Sequence, residues 1–399
     1  YLHSGVAGLI SQQQQQSFYS QLSTLDLSQS PKYVIKSVLN KMSKEGNVVE
    51  KLFLSNSQID FSDLINLTSL LEIDLSFCRF EFSNSSYFFL QNSKNLQKLL
   101  LYNSKGLSGE ILQKHFKFSL FSQLTYLDLS NNNLVNFSTD SLKINRNLEH
   151  LILFNSRLTS LQIDLDNLVY LDASWNSLQN MTRPSISVSF LSTKSVSLKS
   201  SSLAGCFDLT DYVFEQMETI DLSFNQLSCI RKQYRYALDP VYLDLSHNLL
   251  DSFSDEKLFE NKMLETYQNK MKHLDLSVNQ IEAISRSQLA PLVNLEYLNL
   301  SHNRLAYLEN STFQRLVKLK KMDLSANQLS GLSDRLFVPI SFMQYLNLSG
   351  NRLSGIESGL FGSLTNLATL DLSQNRIERF DENTFQRLGS LSELRLSHN

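Results

Sequence analysis

From residue 22 onward the apolar positions recur in short blocks. The segment Leu295-Glu296-Tyr297-Leu298-Asn299-Leu300-Ser301-His302-Asn303-Arg304-Leu305 has the form L-x-x-L-x-L-x-x-N-x-L, and the same block opens at Leu319, Met343, Leu367 and Leu391. Its polar ninth position returns every 24 residues, as Asn279, Asn303, Asn327, Asn351, Asn375 and Asn399. Upstream the spacing loosens. Asn132, Asn176, Asn225 and Asn248 hold the ninth position there, Ser30, Ser57, Ser104, Ser156 and Ser201 replace it, and Cys78 does so once. Sixteen blocks result, opening at 22, 49, 70, 96, 124, 148, 168, 193, 217, 240, 271, 295, 319, 343, 367 and 391.

Within each block the L-x-L core alternates with a period of two, which predicts a short strand whose leucines share one face. One block cannot bury those leucines alone. Successive blocks therefore stack over a continuous core and pair their strands as a parallel sheet. The ninth-position asparagine ends the strand where the chain turns inward, and its amide is expected to bond backbone groups of its own coil and the next. Serine has less reach and cysteine acts as a small buried hydrophobe, so the first eight repeats should be tied less tightly than the last six.

A second apolar row follows the first. Phe313, Phe337, Phe361 and Phe385 each stand ten residues after their asparagine, with Leu289 in the same slot, and Leu292, Leu316, Ile340, Leu364 and Leu388 come three residues later. Three stretches have helical spacing instead: Pro31 to Asn47, Leu107 to Phe118, and Leu258 to Met271. Their apolar faces are expected to pack on the repeat core.

The block pattern resembles the leucine-rich repeat family over about 95% of the chain, on the pattern that the family's signature defines. The phenylalanine row and 24-residue length, notably Asn310-Ser311-Thr312-Phe313 and Asn383-Thr384-Phe385, are similar to the subclass typical of animal extracellular proteins, such as Toll-like receptor and insect chaoptin-like ectodomains. The resemblance implies an α/β solenoid, a horseshoe with a concave parallel sheet and a convex face of loops, turns and short helices. It also implies a recognition module at the cell surface or secreted, a protein or microbial ligand on the concave face, a homodimer as a further option, and signalling through segments outside this chain. Two other readings stay open: homophilic adhesion, and an intracellular scaffold or adaptor.

By repeat regularity the chain divides into a lead-in at 1–21 containing the glutamine run Gln12 to Gln16, irregular repeats over 22–270, and regular 24-residue repeats over 271–399, truncated in the last. The mildly apolar stretch Leu2 to Ile10 lacks a basic n-region and reads as the tail of a signal peptide or as plain lead-in. The last block stops at its ninth residue, Asn399, so the apolar edge of the fifteenth repeat is barely covered and residues 1–399 alone are expected to aggregate.

Composition narrows the function. The chain has 399 residues, 42% hydrophobic and 19% charged, with a formal net charge of −3, which argues against a nucleic-acid partner. No run of about 18 apolar residues is present to span a membrane, so membrane attachment would require sequence outside this chain. Catalytic and metal-site motifs are absent: there is no G-x-S-x-G, H-E-x-x-H, C-x-x-C or phosphate loop. His247, His302 and His398 precede the repeat asparagine in a variable outward slot. No cofactor, no metal and no enzymatic activity is expected.

Strand positions two, three, five, seven and eight should face outward or lie at the edge of the sheet. Position five is mostly aspartate, from Asp26 to Asp371, and this acidic row is read chiefly as solvating the open face. Position three carries Tyr126, His150 and Tyr170 in successive repeats, then Tyr242, His273 and Tyr297. Phe154 at position seven and Trp175 at position eight join the first group. Exposed aromatics of this kind are either anchors for a partner or a ladder that packs on itself. Tyr126, His150, Phe154, Tyr170 and Trp175 are the candidate ligand-binding residues.

Sequons occur at Asn66, Asn84, Asn136, Asn180, Asn299, Asn310 and Asn347, about as many as random order gives, so their number is uninformative. Asn299 and Asn347 arise from the strand pattern, where a glycan would block the concave face. Asn66, Asn84, Asn136, Asn180 and Asn310 remain as glycosylation candidates. Three cysteines make no disulfide framework. Cys206 and Cys229 follow the ninth position of adjacent repeats by five and four residues, a separation compatible with either a disulfide or two buried thiols.

Overall fold

The computed structural model describes residues 22–44, 48–64, 67–81, 90–135, 137–161, 163, 165–179, 192–208, 217–231, 240–251 and 269–399. The chain forms two compact units, 1–192 and 193–399. The repeat-length change at 271 is a different property, since it marks how much chain each coil carries rather than where packing divides.

In the first unit seven three-residue strands pair in parallel: Thr24–Asp26, Lys51–Phe53, Glu72–Asp74, Lys98–Leu100, Tyr126–Asp128, His150–Ile152 and Tyr170–Asp172. The second unit has nine: Ser195–Ser197, Thr219–Asp221, Tyr242–Asp244, His273–Asp275, Tyr297–Asn299, Lys321–Asp323, Tyr345–Asn347, Thr369–Asp371 and Glu393–Arg395. Every strand is the x-L-x centre of a block, and its register keeps like positions opposite one another, as in Leu298 with Met322. The central residue is buried from Leu25 to Leu370, and its neighbours are half-buried or exposed except for the buried Asp371. Burial of the central residue fails only at the last strand, where Leu394 is 38% exposed.

Behind the strands, Phe313, Phe337 and Phe361 are fully buried. Phe361 lies between Phe337 and Phe385, with ring centroids 6.4 and 6.3 Å away and planes within 11° of parallel. The helix expected from Pro31 spans Lys32–Lys44 and buries Ile35, Leu39 and Met42, which lie on one face. That expected from Leu107 spans Gly109–His115, capped by Ser108, whose hydroxyl accepts the Ile111 N–H. A single turn, Arg286–Leu289, carries a capping box of Ser285 and Gln288 that the apolar pattern did not signal. The helix expected over Leu258 to Met271 falls largely outside the described residues, as does the lead-in.

Asparagine joins the coils, in the direction opposite to that expected. Asn327 Nδ2 donates to the carbonyls of Leu324 and Ser325 in its own coil and of Leu300 in the preceding one, at 3.1, 3.2 and 2.9 Å. Its Oδ1 accepts the Leu305 N–H of that same preceding coil at 3.0 Å. The amide thus reaches back, because the turn after position nine folds it under the strand already laid down. Asn132, Asn176, Asn225, Asn248, Asn279, Asn303, Asn351, Asn375 and Asn399 repeat this backward reach. Serine keeps a fraction of it: Ser104 Oγ donates to Leu75 O at 2.9 Å and Ser156 Oγ to Leu129 O at 3.0 Å. Cys78 is more than a hydrophobe, since its Sγ donates to Leu54 O at 3.0 Å and burial pushes its pKa up to about 12.

Two short parallel pairs lie beside the main strands: Gln58–Asp60 with Arg79–Glu81, and Ala204–Asp208 with Gln226–Arg231. The second aligns Cys206 with Cys229, and the structure joins their sulfurs in a disulfide across a Cα–Cα distance of 4.4 Å. The register shifts between Gly205 and Cys206, where Gly205 takes φ +75°. Glycine meets that backbone turn without steric cost.

Candidate ligand-binding face

The outward sheet face is set by what stands at positions three, five, seven and eight. Position five is a cap. Asp323 Oδ1 accepts both the N–H and the hydroxyl of Ser325, at 2.8 and 2.6 Å. Asp128, Asp172, Asp221, Asp275 and Asp371 bind the serine two residues on in the same way. The acidic row therefore does more than solvate the face, and the serines of position seven, expected to face outward, are buried against it. Burial pushes the Asp128 carboxyl above its ordinary value, with the Ser130 bonds working the other way.

Position eight has a left-handed backbone in every one of the sixteen repeats, with φ between 48° at Asn103 and 65° at Gly350. Asparagine, histidine and glycine suit this conformation, whereas a bulky side chain there is strained. Phe77, Trp175 and Phe224 occupy it nevertheless and are 48%, 55% and 47% exposed. Phe77 meets Tyr102 edge-on at 5.0 Å, and Phe224 is stacked on His247 at 3.9 Å with Lys199 Nζ 4.9 Å from its centroid. Trp175 has no ring or polar partner among the described residues.

The two aromatic groups of position three differ. Tyr242, His273 and Tyr297 stack at 4.3 and 4.0 Å, with interplanar angles of 19° and 4°. Burial in this stack pushes Tyr242 and Tyr297 up to about 12 and His273 below its ordinary value. Tyr126, His150 and Tyr170 are fanned, 5.6 and 6.0 Å apart and tilted by 30° and 34°. Lys98 Nζ stands 5.2 Å from the Tyr126 centroid while pairing with Glu72 at 2.9 Å, and Lys51 pairs with the same carboxylate at 3.5 Å. Burial opposes ionisation of Glu72, but the two lysines outweigh it and hold the carboxyl below its usual range.

The geometry brings Tyr126, His150 and Tyr170 together on paired strands of the first unit, whereas Phe154 and Trp175, at positions seven and eight of the same repeats, make no ring contact with that row among the described residues. It adds residues the composition of position three did not reveal: Leu100 and Ile152 at position five and Tyr102 at position seven, all half-buried. Their signal in the sequence is the loss of the aspartate-x-serine pair, replaced by Leu100-x-Tyr102 and Ile152-x-Phe154.

This coil, with its strand, backward-reaching asparagine and buried phenylalanine row, is the unit that family models recognise. A leucine-rich repeat model matches residues 264–305, 303–353 and 343–399, and a second leucine-rich repeat model matches 123–143. Together these matches mark residues 123–143 and 264–399, under half of the chain, as leucine-rich repeats. Among curated relatives, Tsukushi of Gallus gallus is 30% identical over 157 residues, which is 39% of this chain and 41% of Tsukushi. A solved Leptospira interrogans leucine-rich repeat protein superposes with a TM-score of 0.63 at 21% identity, covering 96% of this chain and 98% of its own. A chain of the Drosophila Toll–Spatzle complex gives 0.63 at 19% identity, over 87% of this chain and 46% of that one. The chain thus matches under half the length of Tsukushi and of the Drosophila chain, and at these identities the solved structures share its fold. Neither matching family model describes an enzyme.

Of the remaining candidates, Asn310 is exposed, whereas Asn66, Asn84, Asn136 and Asn180 lie outside the described residues. Asn299 and Asn347 are engaged, their Nδ2 groups donating to Asp275 Oδ2 and Asp323 Oδ2 at 3.0 Å.

Proposed function

We propose that this leucine-rich repeat chain is the recognition module of a cell-surface or secreted protein, and that it binds a protein ligand on the sheet face of its first unit. One observation carries the reading: Trp175, the only tryptophan, is 55% exposed on a left-handed backbone in the same repeat as Tyr170, which ends the fanned row of Tyr126, His150 and Tyr170. An aromatic kept in a strained and solvated position without a ring or polar partner among the described residues suits an anchor for another molecule. The extracellular setting is supported by the Cys206–Cys229 disulfide, which oxidising compartments favour, and by the likeness to Tsukushi. The Toll–Spatzle complex is described as a hub in Drosophila development and innate immunity, and a receptor role of that kind is the finer form of this proposal.

The test uses Trp175 as its own reporter. Peptides selected from a displayed random library against the full chain should shift its emission and lose binding when Tyr126 or Tyr170 becomes Ala. Selected peptides that bind both variants unchanged would remove the face from consideration. For the compartment, intact mass after secretion from animal cells should show a blocked Cys206 and Cys229 and a glycosidase-sensitive increment at Asn310. An unsecreted chain with three free thiols would instead favour an intracellular scaffold.

A further inference from the structure

The aromatic face of the first unit also carries a regular comb of carboxylates. Asp74, Asp128 and Asp172 each use Oδ1 to accept the N–H of the serine two residues on. Their Oδ2 atoms have no hydrogen-bond or ion-pair partner among the described residues, and the strands between them present Leu100 and Ile152 at position five. In the second unit three of these atoms are satisfied: Asp275 and Asp323 accept from Asn299 and Asn347, and Asp371 pairs with Arg395 at 3.4 Å, whereas the Oδ2 atoms of Asp221 and Asp244 have no hydrogen-bond or ion-pair partner among the described residues.

The comb has a defined pitch. Asp128 and Asp172 are two strands apart, about 10 Å at sheet spacing. A cationic ligand segment crossing the strands must therefore present a charge on one side at roughly that interval. An extended β segment does not, since its third residue, about 10 Å along, points to the opposite face. A polyproline II segment does, with three residues per turn and a rise of about 3.1 Å per residue, so every third side chain lies on one face about 9 Å apart. Such helices dock on aromatic surfaces through their stiff, unsatisfied backbone. Tyr126 already holds a cation near its ring, that of Lys98, so the row is suited to guanidinium as well as to proline.

We infer that the ligand of this face is a proline-rich segment of a partner protein in the polyproline II conformation, bearing arginine or lysine at every third position, with its cations on Asp128 and Asp172 and its intervening rings on the Tyr126–His150–Tyr170 row. The inference rests on the face being the binding surface.

The probes are fluorescein-labelled (Arg-Pro-Pro)4, (Glu-Pro-Pro)4, (Ser-Pro-Pro)4 and an alanine-rich helix with arginines at every seventh position, added to the full chain and read by anisotropy and Trp175 emission. The arginine polyproline peptide should bind, weaken with salt, and lose about fivefold or more in affinity with Asp128→Asn and again with Asp172→Asn. These variants keep the fold, since Asn299 and Asn347 already bind their serines through Oδ1 at the same position. Asp323→Asn in the second unit should leave binding unchanged. Equal binding of the glutamate or serine peptide, preference for the helix, absence of arginine-peptide binding, or indifference to both aspartate variants would overturn the inference. Library-selected peptides that still depend on Tyr126 and Tyr170 would, in any of those cases, leave the face itself intact as the binding surface.

Discussion

The two units are built from one repeat and present different surfaces. In the second, the aspartate-x-serine pair, or its Asn299 and Asn347 equivalent, runs through successive strands from 219 to 371, and from Asp275 onward the Oδ2 atoms are met by neighbouring amides or by Arg395, while those of Asp221 and Asp244 have no partner among the described residues. Its aromatics are stacked within 4.3 Å. In the first, every second repeat replaces the aspartate with Phe53, Leu100 or Ile152, the rings are fanned, and the Oδ2 atoms of Asp74, Asp128 and Asp172 have no partner among the described residues. A self-satisfied surface stabilises its own unit. An unsatisfied one is suited to completing its interactions with a partner, at a cost in stability.

The largest effect should come from the phenylalanine row. Phe361→Ala removes a ring buried between two others and should lower stability by about 4 kcal/mol, and Leu142→Ala, the counterpart in the first unit, by about 3 kcal/mol. Denaturant titration of the two variants compares the cores directly, and equal or reversed losses would remove the supposed advantage of the ring stack. The coil junctions should differ next. Asn327→Ala strands one N–H and three carbonyl contacts and should cost about 3 kcal/mol, while Ser156→Ala, with its two carbonyl contacts, should cost about 1 kcal/mol. Amide exchange should rise locally at Leu305 in the first variant.

A smaller change with the opposite sign is expected at position eight. Trp175→Asn places a residue that tolerates left-handed backbone where an indole now sits, and should raise stability by about 1 kcal/mol while reducing binding to the face. Thermal melts followed by circular dichroism would check it, and a destabilised variant would show that the indole packs usefully in its own unit. The smallest effect concerns pH. Burial holds His273 below its ordinary 6.5, so the unfolded chain protonates first as pH falls. Stability contributed by the neutral ring is complete above that value and declines as pH drops from 6.5 toward the folded pKa. His273→Gln should flatten this slope in urea titrations at graded pH, and an unchanged slope would assign it elsewhere.

The apolar pattern determined a good deal by itself. The period-two L-x-L core fixed each strand and its inward leucine, the spacing of Asn279 to Asn399 fixed the regular coils, and the apolar faces of 32–44 and 109–115 fixed two helices, because burial of like residues by stacking leaves few alternatives. What a residue type means at a given position was decided by its neighbours across strands. Whether Asn327 reaches forward or back, whether Asp323 is a surface charge or a serine cap, and whether three aromatics stack or fan all depend on the geometry of the adjoining coil. The left-handed backbone at position eight was likewise hidden, since Asn103, Trp175 and Gly350 share it without sharing chemistry. Sequence periodicity records what is buried along the chain, whereas partner and strain are relations between coils, and only the stacked structure sets those.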